Sequence, residues 1–367
     1  MTQSVDKTCE YYKQIINEIN ADGITALGPA AVVSISAAAT KGAGSRVIIC
    51  TDGLSNFGAG NLSDLKNGEE TEETINEFYN TLANYANHYG VTVDLLSIEG
   101  AEWDLETLIT LSEKTGGDVD IINPCQTEAK LDGLINKKNI ANKVKISIHL
   151  HRSLEFKNEN FKNFNRAINT LEMNLGNVYQ DTEVTFEYKF KEPFELNNFE
   201  NFDINKLDQV PFQIVIEYTK PNGTKSVRVI THIQKTSDNL EVVLNEVKLE
   251  ILASNASQQA SKIAKEGSFR KAQAYSMSQK KLISQNVHSI EQNKIFKTWK
   301  KTMSVFYKQV HEQNNKEELL LLNLSQDKRN PKTVVKSNKG YLSKASDQLM
   351  WSIKRWTQSW AKTYTIS

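Results

Sequence analysis

The sequence contains few cysteines, no long apolar run and no surplus of charge. Cys9, Cys50 and Cys125 are too few and too irregularly spaced for a disulfide framework, so we expect a reducing, cytoplasmic compartment. The 44 basic residues cancel the 44 acidic ones, which argues against a nucleic-acid-binding chain. No segment approaches the roughly 18 consecutive apolar residues of a membrane span, and Met1–Ser4 does not begin a secretory signal.

Sequence patterns of common catalytic sites are also absent. The chain has no nucleophile elbow, phosphate-binding loop, paired zinc cysteines or dinucleotide fingerprint. We therefore expect a protein that is not an enzyme and has no resident cofactor.

The first 139 residues alternate between helical and strand patterns. Apolar residues at helical spacing predict a first helix: Tyr11, Tyr12, Ile15, Ile16 and Ile19. Val47–Cys50 is a continuous apolar run, typical of a strand covered on both faces of a parallel sheet. Val91–Ile98 and Val119–Ile122 predict further strands, separated by helices that end at Gly90 and at Thr115-Gly116-Gly117. This succession predicts right-handed crossovers within one α/β domain, residues 1–139.

From about residue 140 the apolar period changes to alternation. One face would carry Val144, Ile146, Ile148 and Leu150. Asn222-Gly223 lies between two further alternating runs and predicts a hairpin turn. We interpret Val242–Leu252 as one more extended segment. These patterns predict an antiparallel β-sandwich over residues 140–253.

The remaining sequence is predominantly helical. Gly267 and Ser268 predict the turn of a helical hairpin in a domain of residues 254–325, and residues 326–340 are interpreted as a polar linker. An amphipathic helix over 341–367 would carry an apolar face: Leu349, Ile353, Trp356 and Trp360. That face could pack inside the protein, dock in a partner's groove or lie on an anionic membrane.

Two segments of the first domain are distinctive. They are Gly23-Ile24-Thr25-Ala26-Leu27-Gly28-Pro29-Ala30 and Ile48-Ile49-Cys50-Thr51-Asp52-Gly53-Leu54-Ser55-Asn56-Phe57-Gly58. Together they resemble the von Willebrand factor A domain, in particular the A domains of Sec23/Sec24 trunks and of circularly permuted Ras proteins. The resemblance implies that Thr25 and Asp52 belong to a metal-ion-dependent adhesion site. The fold expected from it is a partial doubly wound α/β sheet, followed by the sandwich and the helical region.

The sequence departs from the family at its start. The Asp-x-Ser-x-Ser motif of the family's first strand does not occur, so we expect too few oxygen ligands for Mg²⁺ or Ca²⁺ unless another segment supplies that motif. Within the chain alone, Thr25 would cap a helix and Asp52 would close a turn.

The same departure would leave one strand without a neighbour. In the family the strand formed by Val47, Ile48, Ile49 and Cys50 is central, so it would here become an open edge available to a protein partner or an upstream segment. We therefore expect a non-catalytic interaction scaffold within a larger assembly. The alternatives are a metal-dependent ligand-binding receptor, once the motif is supplied, and a component of a vesicle coat.

Overall fold

The computed structural model describes residues 5–20, 23–51, 55–61, 72–98, 105–122, 125, 127–157, 164–165, 169–192 and 209–326. Within these ranges, a parallel α/β unit is followed by two antiparallel sheets and then by helices. This order confirms the predicted fold class.

The α/β unit contains a three-stranded parallel sheet in the order β1-β2-β3. The strands are β1 (Arg46–Thr51), β2 (Thr92–Ile98) and β3 (Val119–Ile122). The helices are α1 (Val5–Glu18), α2 (Leu27–Ala39), α3 (Glu72–Tyr89), α4 (Leu105–Thr115) and α5 (Thr127–Ile135). Helices α3 and α4 connect successive parallel strands, as the alternating pattern predicts.

Helices cover both faces of this sheet. On one face, Val93 and Leu95 of β2 belong to a core that also contains residues of α2, α3 and α4. On the other face, Leu96 of β2 and Ile122 of β3 pack with Leu134 of α5. Apolar burial on both faces explains why these strands appear in the sequence as continuous apolar runs.

Two antiparallel sheets follow. Their strands are β4 (Asn139–Leu150), β5 (Leu154–Lys157), β6 (Phe164–Asn165), β7 (Thr170–Tyr179), β8 (Glu187–Phe190), β9 (Gln209–Thr219) and β10 (Lys225–Lys235). One sheet has the order β10-β9-β4-β7-β6, and the other consists of β5 and β8. A separate apolar cluster joins them, with Ile148 and Leu171 from the first sheet and Leu154 from the second.

The C-terminal described region consists of α6 (Leu240–Asn245), α7 (Leu249–Lys265), α8 (Phe269–Gln285) and α9 (Ile290–Gln326). Helices α7 and α8 form the predicted hairpin around Gly267. The prediction of an extended segment over Val242–Leu252 is wrong. The Asn239 side chain accepts a hydrogen bond from the Glu241 amide and caps α6.

The helices share their core with the parallel sheet. One continuous cluster of buried apolar side chains includes residues of α2, α3, β2, α4, α7, α8 and α9. Its largest member, Trp299, is buried and donates its indole N–H to the Ala253 carbonyl and the Ser257 hydroxyl, both at 3.0 Å. In the described part of the chain, no helix has both the length and the apolar character needed to cross a bilayer.

Candidate functional site

Strand β1 has a neighbour on one side only among the described strands. The Ser45 carbonyl accepts a hydrogen bond from the Thr92 amide of β2 at 2.9 Å. Because peptide groups alternate in direction along a strand, those of Arg46, Ile48 and Cys50 point away from β2. The predicted open edge is therefore present in the described structure, with three outward peptide groups.

Side chains on both faces of β1 hold the strand against the domain. Ile49 is buried and Val47 packs against the larger core, whereas Ile48 packs against the small cluster beneath α5. Cys50 is exposed at the carboxyl end of the strand. The edge is thus a firmly positioned strand, but its role in partner binding remains a prediction.

Helix α1 presents an apolar surface to solvent. Five large side chains along the helix and just after it are exposed: Tyr11 (64 %), Tyr12 (56 %), Ile15 (39 %), Ile16 (64 %) and Ile19 (68 %). Exposed apolar groups at helical spacing are typical of a face that packs against another element. Like β1, α1 has a surface that the described residues leave uncovered.

The Thr25 loop is bound to the loop that follows β1. The Thr25 amide donates to the Asn56 side-chain oxygen at 2.7 Å, and the Asn56 amide donates to the Thr25 carbonyl at 3.0 Å. Thr25 does not cap α2: Ala26 occupies the N-cap position, without a side-chain hydrogen bond. The interpretation of Thr25 as a helix cap is therefore wrong, because hydrogen bonds from its backbone to the amide and the side chain of Asn56 set its position.

Close packing holds these two loops together. A Cβ atom at Gly28 would lie 1.9 Å from the Ala59 carbonyl oxygen, so only glycine permits this approach. Tyr79 of α3 also holds the loop that contains Ala59, since its hydroxyl donates a hydrogen bond to the Gly60 carbonyl at 3.0 Å. The two segments that carried the family resemblance therefore meet in space.

The described residues at these loops do not fit a divalent metal. Among the residues that the structure describes, no three or more His, Cys, Asp or Glu side chains come together in a group suited to a metal ion. Asp52 lies outside the described residues, and the Asn56 side-chain oxygen already accepts the Thr25 amide. The buried Ser55 hydroxyl has no hydrogen-bond partner among the described residues, but one hydroxyl is far from the roughly six oxygens of such a site.

A second group of polar residues lies at the opposite, amino end of the sheet. Asp94 of β2 is buried; its Oδ1 accepts the Asp118 amide at 2.7 Å, and its Oδ2 lies 3.3 Å from Arg46 Nε without hydrogen-bond geometry. Burial raises the pKa of Asp94, while Arg46 opposes the rise. Lys137 Nζ lies 2.9 Å from Asp118 and 3.5 Å from Asp181, linking the sheet to the turn after β7.

The ring of Tyr179 lies within this charged group. The guanidinium carbon of Arg46 lies 4.8 Å and Lys137 Nζ 4.6 Å from its centroid, which are cation–π distances. Burial opposes protonation of Lys137, but the carboxylates of Asp118 and Asp181 leave its pKa raised. The sequence patterns gave no signal for this junction, because its members come from distant segments.

A cavity of about 610 Å³ opens beside this junction, where α4, β7 and α7 meet. Its lining includes Lys137 and Asp118, which pair with each other, and Lys265, which pairs with Glu113. These charged side chains at the cavity are therefore already paired with each other within the protein. We interpret the cavity as part of the contact between the units.

The apolar face predicted for the final helix cannot be placed. Leu349, Ile353, Trp356 and Trp360 lie outside the described residues, as do the predicted linker and Asp52.

Residues 2–142 match the family model of the Sec23/Sec24 trunk domain. This range contains the parallel sheet and both joined loops. The chain contains a von Willebrand factor A-like domain. It is also 29 % identical over 283 residues to "Circularly permutated Ras protein 1" of Dictyostelium discoideum, matching 77 % of this chain but 32 % of that protein. The chain thus spans about a third of the length of its curated relative.

Solved structures resemble the chain at low sequence identity, and one of them shares its fold with a TM-score above 0.5. The human COPII-coat protein Sec24c has a TM-score of 0.56 and 15 % identity, with 76 % of this chain and 39 % of that chain covered. A von Willebrand factor type A protein from Catenulispora acidiphila has a TM-score of 0.44 and 13 % identity, covering 83 % of this chain and 66 % of that chain. The Sec24c likeness extends beyond the A-like domain, since residues 2–142 are only part of the aligned share.

Proposed function

We propose that this protein is a non-catalytic interaction scaffold whose A-like domain is completed by a β-strand added beside β1. The observation that carries the proposal is the outward direction of the peptide groups of Arg46, Ile48 and Cys50, on a strand that has one neighbour among the described strands. Unpaired donors and acceptors on an ordered strand favour pairing with another strand.

The exposed face of α1 supports the same proposal. An added strand would need apolar cover, and Tyr12, Ile16 and Ile19 offer uncovered apolar area within the same domain. The occupant would then bury apolar area as well as form backbone hydrogen bonds. It would come either from a segment upstream of the A-like domain or from a separate polypeptide.

The comparisons favour a role in a cytoplasmic, coat-like assembly. The Sec23/Sec24 trunk match covers residues 2–142, and the Sec24c fold covers 76 % of the chain. The ion pair between Lys137 and Asp181, at 3.5 Å, links the A-like domain to the turn after β7 and supports a fixed arrangement of the two units. A metal-dependent receptor is the second candidate, because Thr25 and Asn56 bring the two family loops together.

Hydrogen exchange at β1 tests the proposal. In the recombinant chain, the amides of Ile48 and Cys50 should exchange rapidly, whereas those of Val47 and Ile49, which face β2, should be protected. In material purified from its source with its companion segment, all four should be protected. Protection of Ile48 and Cys50 in a recombinant monomer would show that the edge is already covered, and the proposal would fail.

A proline substitution separates strand addition from folding. Cys50→Pro removes an amide that points away from β2, at an exposed edge position where proline is tolerated. We expect the variant to keep its thermal unfolding midpoint but lose the added strand's protection at Ile48. The matched variant Cys50→Ala keeps the amide and should retain that protection. Equal protection in both variants would contradict strand addition at this edge.

A further inference from the structure

The five-stranded sheet has its own exposed edge, on a different unit from β1. Strand β10 runs for 11 residues and pairs with β9 along its whole length, and no described strand pairs with its other side. Three β-branched side chains on its outward face are exposed: Val227 (62 %), Val229 (54 %) and Ile233 (56 %). Long, β-branched edges with exposed side chains are sites of strand addition.

The turn before β10 shows which peptide groups of the strand point away from β9. The Lys220 amide donates to the Thr224 carbonyl at 2.9 Å, so these opposite residues form a hydrogen-bonded pair. Opposite residues alternate between bonded and non-bonded pairs in antiparallel strands, so Arg228 and Ile230 also bond to β9. The peptide groups that point away from β9 are those of Lys225, Val227, Val229, Thr231, Ile233 and Lys235.

The charge on β10 has a single sign. The strand carries Lys225, Arg228 and Lys235 and no carboxylate. The nearest acidic residue on the adjacent strand, Glu217, lies opposite Val227 in the register. A strand that added to this edge would therefore meet positive charges on both faces of the sheet, Lys225 and Lys235 on one and Arg228 on the other.

Those charges disfavour a second copy of this chain as the occupant. Full-length antiparallel pairing of two β10 strands, centred on Ile230, places Lys225 of each strand opposite Lys235 of the other, at both ends of the pair. Like charges directly opposite each other destabilise strand pairs. The same charges attract acidic residues on a different strand.

We propose that β10 binds an extended acidic peptide segment by antiparallel strand addition. The peptide's backbone pairs with the outward groups of Val227, Val229 and Ile233. Its carboxylates lie opposite Lys225, Arg228 and Lys235, and its apolar residues cover the exposed valines and isoleucine. This surface is separate from β1, so the proposal for β10 can be tested independently of the proposed completion of the A-like domain.

A designed peptide of the same length as β10 is the probe. It carries Glu opposite Lys225, Arg228 and Lys235, Val opposite Val227 and Val229, Ile opposite Ile233, and Thr elsewhere. Fluorescence anisotropy with the full chain should show saturable binding that weakens as salt is raised. The same peptide with Lys in place of Glu should bind at least about tenfold more weakly, because like charges would then face each other.

Two variants of one residue test the backbone pairing. Val229→Pro removes an amide that faces away from β9 and leaves the β9 ladder intact, whereas Val229→Ala keeps that amide and loses side-chain area. We expect the proline variant to lose binding of the Glu peptide at least about tenfold more than the alanine variant does. Unchanged thermal unfolding midpoints will show that both variants are folded.

Four results would overturn the proposal. The first is equal affinity for the Glu and Lys peptides, and the second is equal binding by the proline and alanine variants. The third is a chain that is dimeric in light scattering and becomes monomeric on Val229→Pro, which would make a second copy the occupant. No binding of the Glu peptide to the folded chain would overturn it as well.

Discussion

Asn177 of β7 donates hydrogen bonds from its Nδ2 atom to Thr92 Oγ1 at 2.8 Å and to the Gly90 carbonyl at 2.9 Å. Its side-chain oxygen accepts the Lys143 amide at 3.2 Å, so one buried side chain joins the sandwich to the start of β2. Tyr179 adds a second link, with its hydroxyl 2.9 Å from Thr92 Oγ1. These bonds orient the two units relative to each other through polar side chains.

Removal of the Asn177 side chain should therefore weaken the whole protein. Asn177→Ala leaves the Gly90 carbonyl and the Lys143 amide without this partner, and we expect the free energy of unfolding to fall by about 1–3 kcal/mol. Urea unfolding followed by tryptophan fluorescence measures this loss. Gln180→Ala, at an exposed turn position close to the same strand, is the control and should change stability little. Equal stability of Asn177→Ala and the control would show that the junction bonds contribute nothing.

The sequence predicted the elements with long regular patterns and missed contacts between distant segments. The three parallel strands and the hairpin around Gly267 were predicted correctly because apolar spacing alone decides them. The Val242–Leu252 prediction was wrong because a short apolar run is ambiguous between strand and helix. In the structure this segment is helical from Leu249 onward, and its buried side chains, Leu249, Ala253 and Ala256, recur at helical spacing.

The glycines show a second limit. The sequence predicted Thr115-Gly116-Gly117 as the end of a helix, and α4 does end at Thr115. It gave no sign that a Cβ atom at Gly116 would lie 2.1 Å from the Asn177 carbonyl, since that partner is distant in the chain. The open edge of β1 was predictable because, in the family that the sequence resembles, this strand is central and has a neighbour on each side. The charged junction around Tyr179 had no comparable signal.

The contact between Gly28 and Ala59 gives a stability prediction at the family loops. Gly28→Ala places a methyl group against the Ala59 carbonyl oxygen and should lower the free energy of unfolding by about 1–3 kcal/mol. Gly133→Ala is the matched substitution, because no atom lies within 4 Å of its added Cβ and Gly133 is inside helix α5. That variant should gain about 0.5–1 kcal/mol. Urea unfolding of both variants should show changes of opposite sign, and destabilisation of both would contradict the close-packing argument.

Magnesium should not stabilise the recombinant chain by itself. The described residues do not supply a ligand set at Thr25 and Asn56, so millimolar Mg²⁺ should leave the thermal unfolding midpoint unchanged. The same titration on Asp52→Ala is the control, because that variant should behave like the parent chain. A midpoint that rises with Mg²⁺ in the parent and not in Asp52→Ala would contradict this prediction and favour the metal-dependent receptor.

The buried carboxyl of Asp94 should make stability depend on pH in an unusual direction. Burial raises its pKa in the folded state, so the native protein holds a proton that the unfolded chain has already released. This contribution to the free energy of unfolding is therefore smallest at neutral pH. It grows as the pH falls from the raised native pKa toward the unfolded value of ~3.9.

Asp94→Asn isolates that contribution, because the amide does not titrate. We expect the stability of the parent chain relative to Asp94→Asn to increase between neutral and mildly acidic pH, in urea unfolding at a series of pH values. Asp132→Asn, an exposed position on α5, controls for general effects of charge and should give a difference that varies less with pH. A difference between parent and Asp94→Asn that shrinks on acidification would mean that Arg46 outweighs burial. The 3.3 Å separation between the Arg46 and Asp94 side chains, without hydrogen-bond geometry, is the structural reason to expect the opposite.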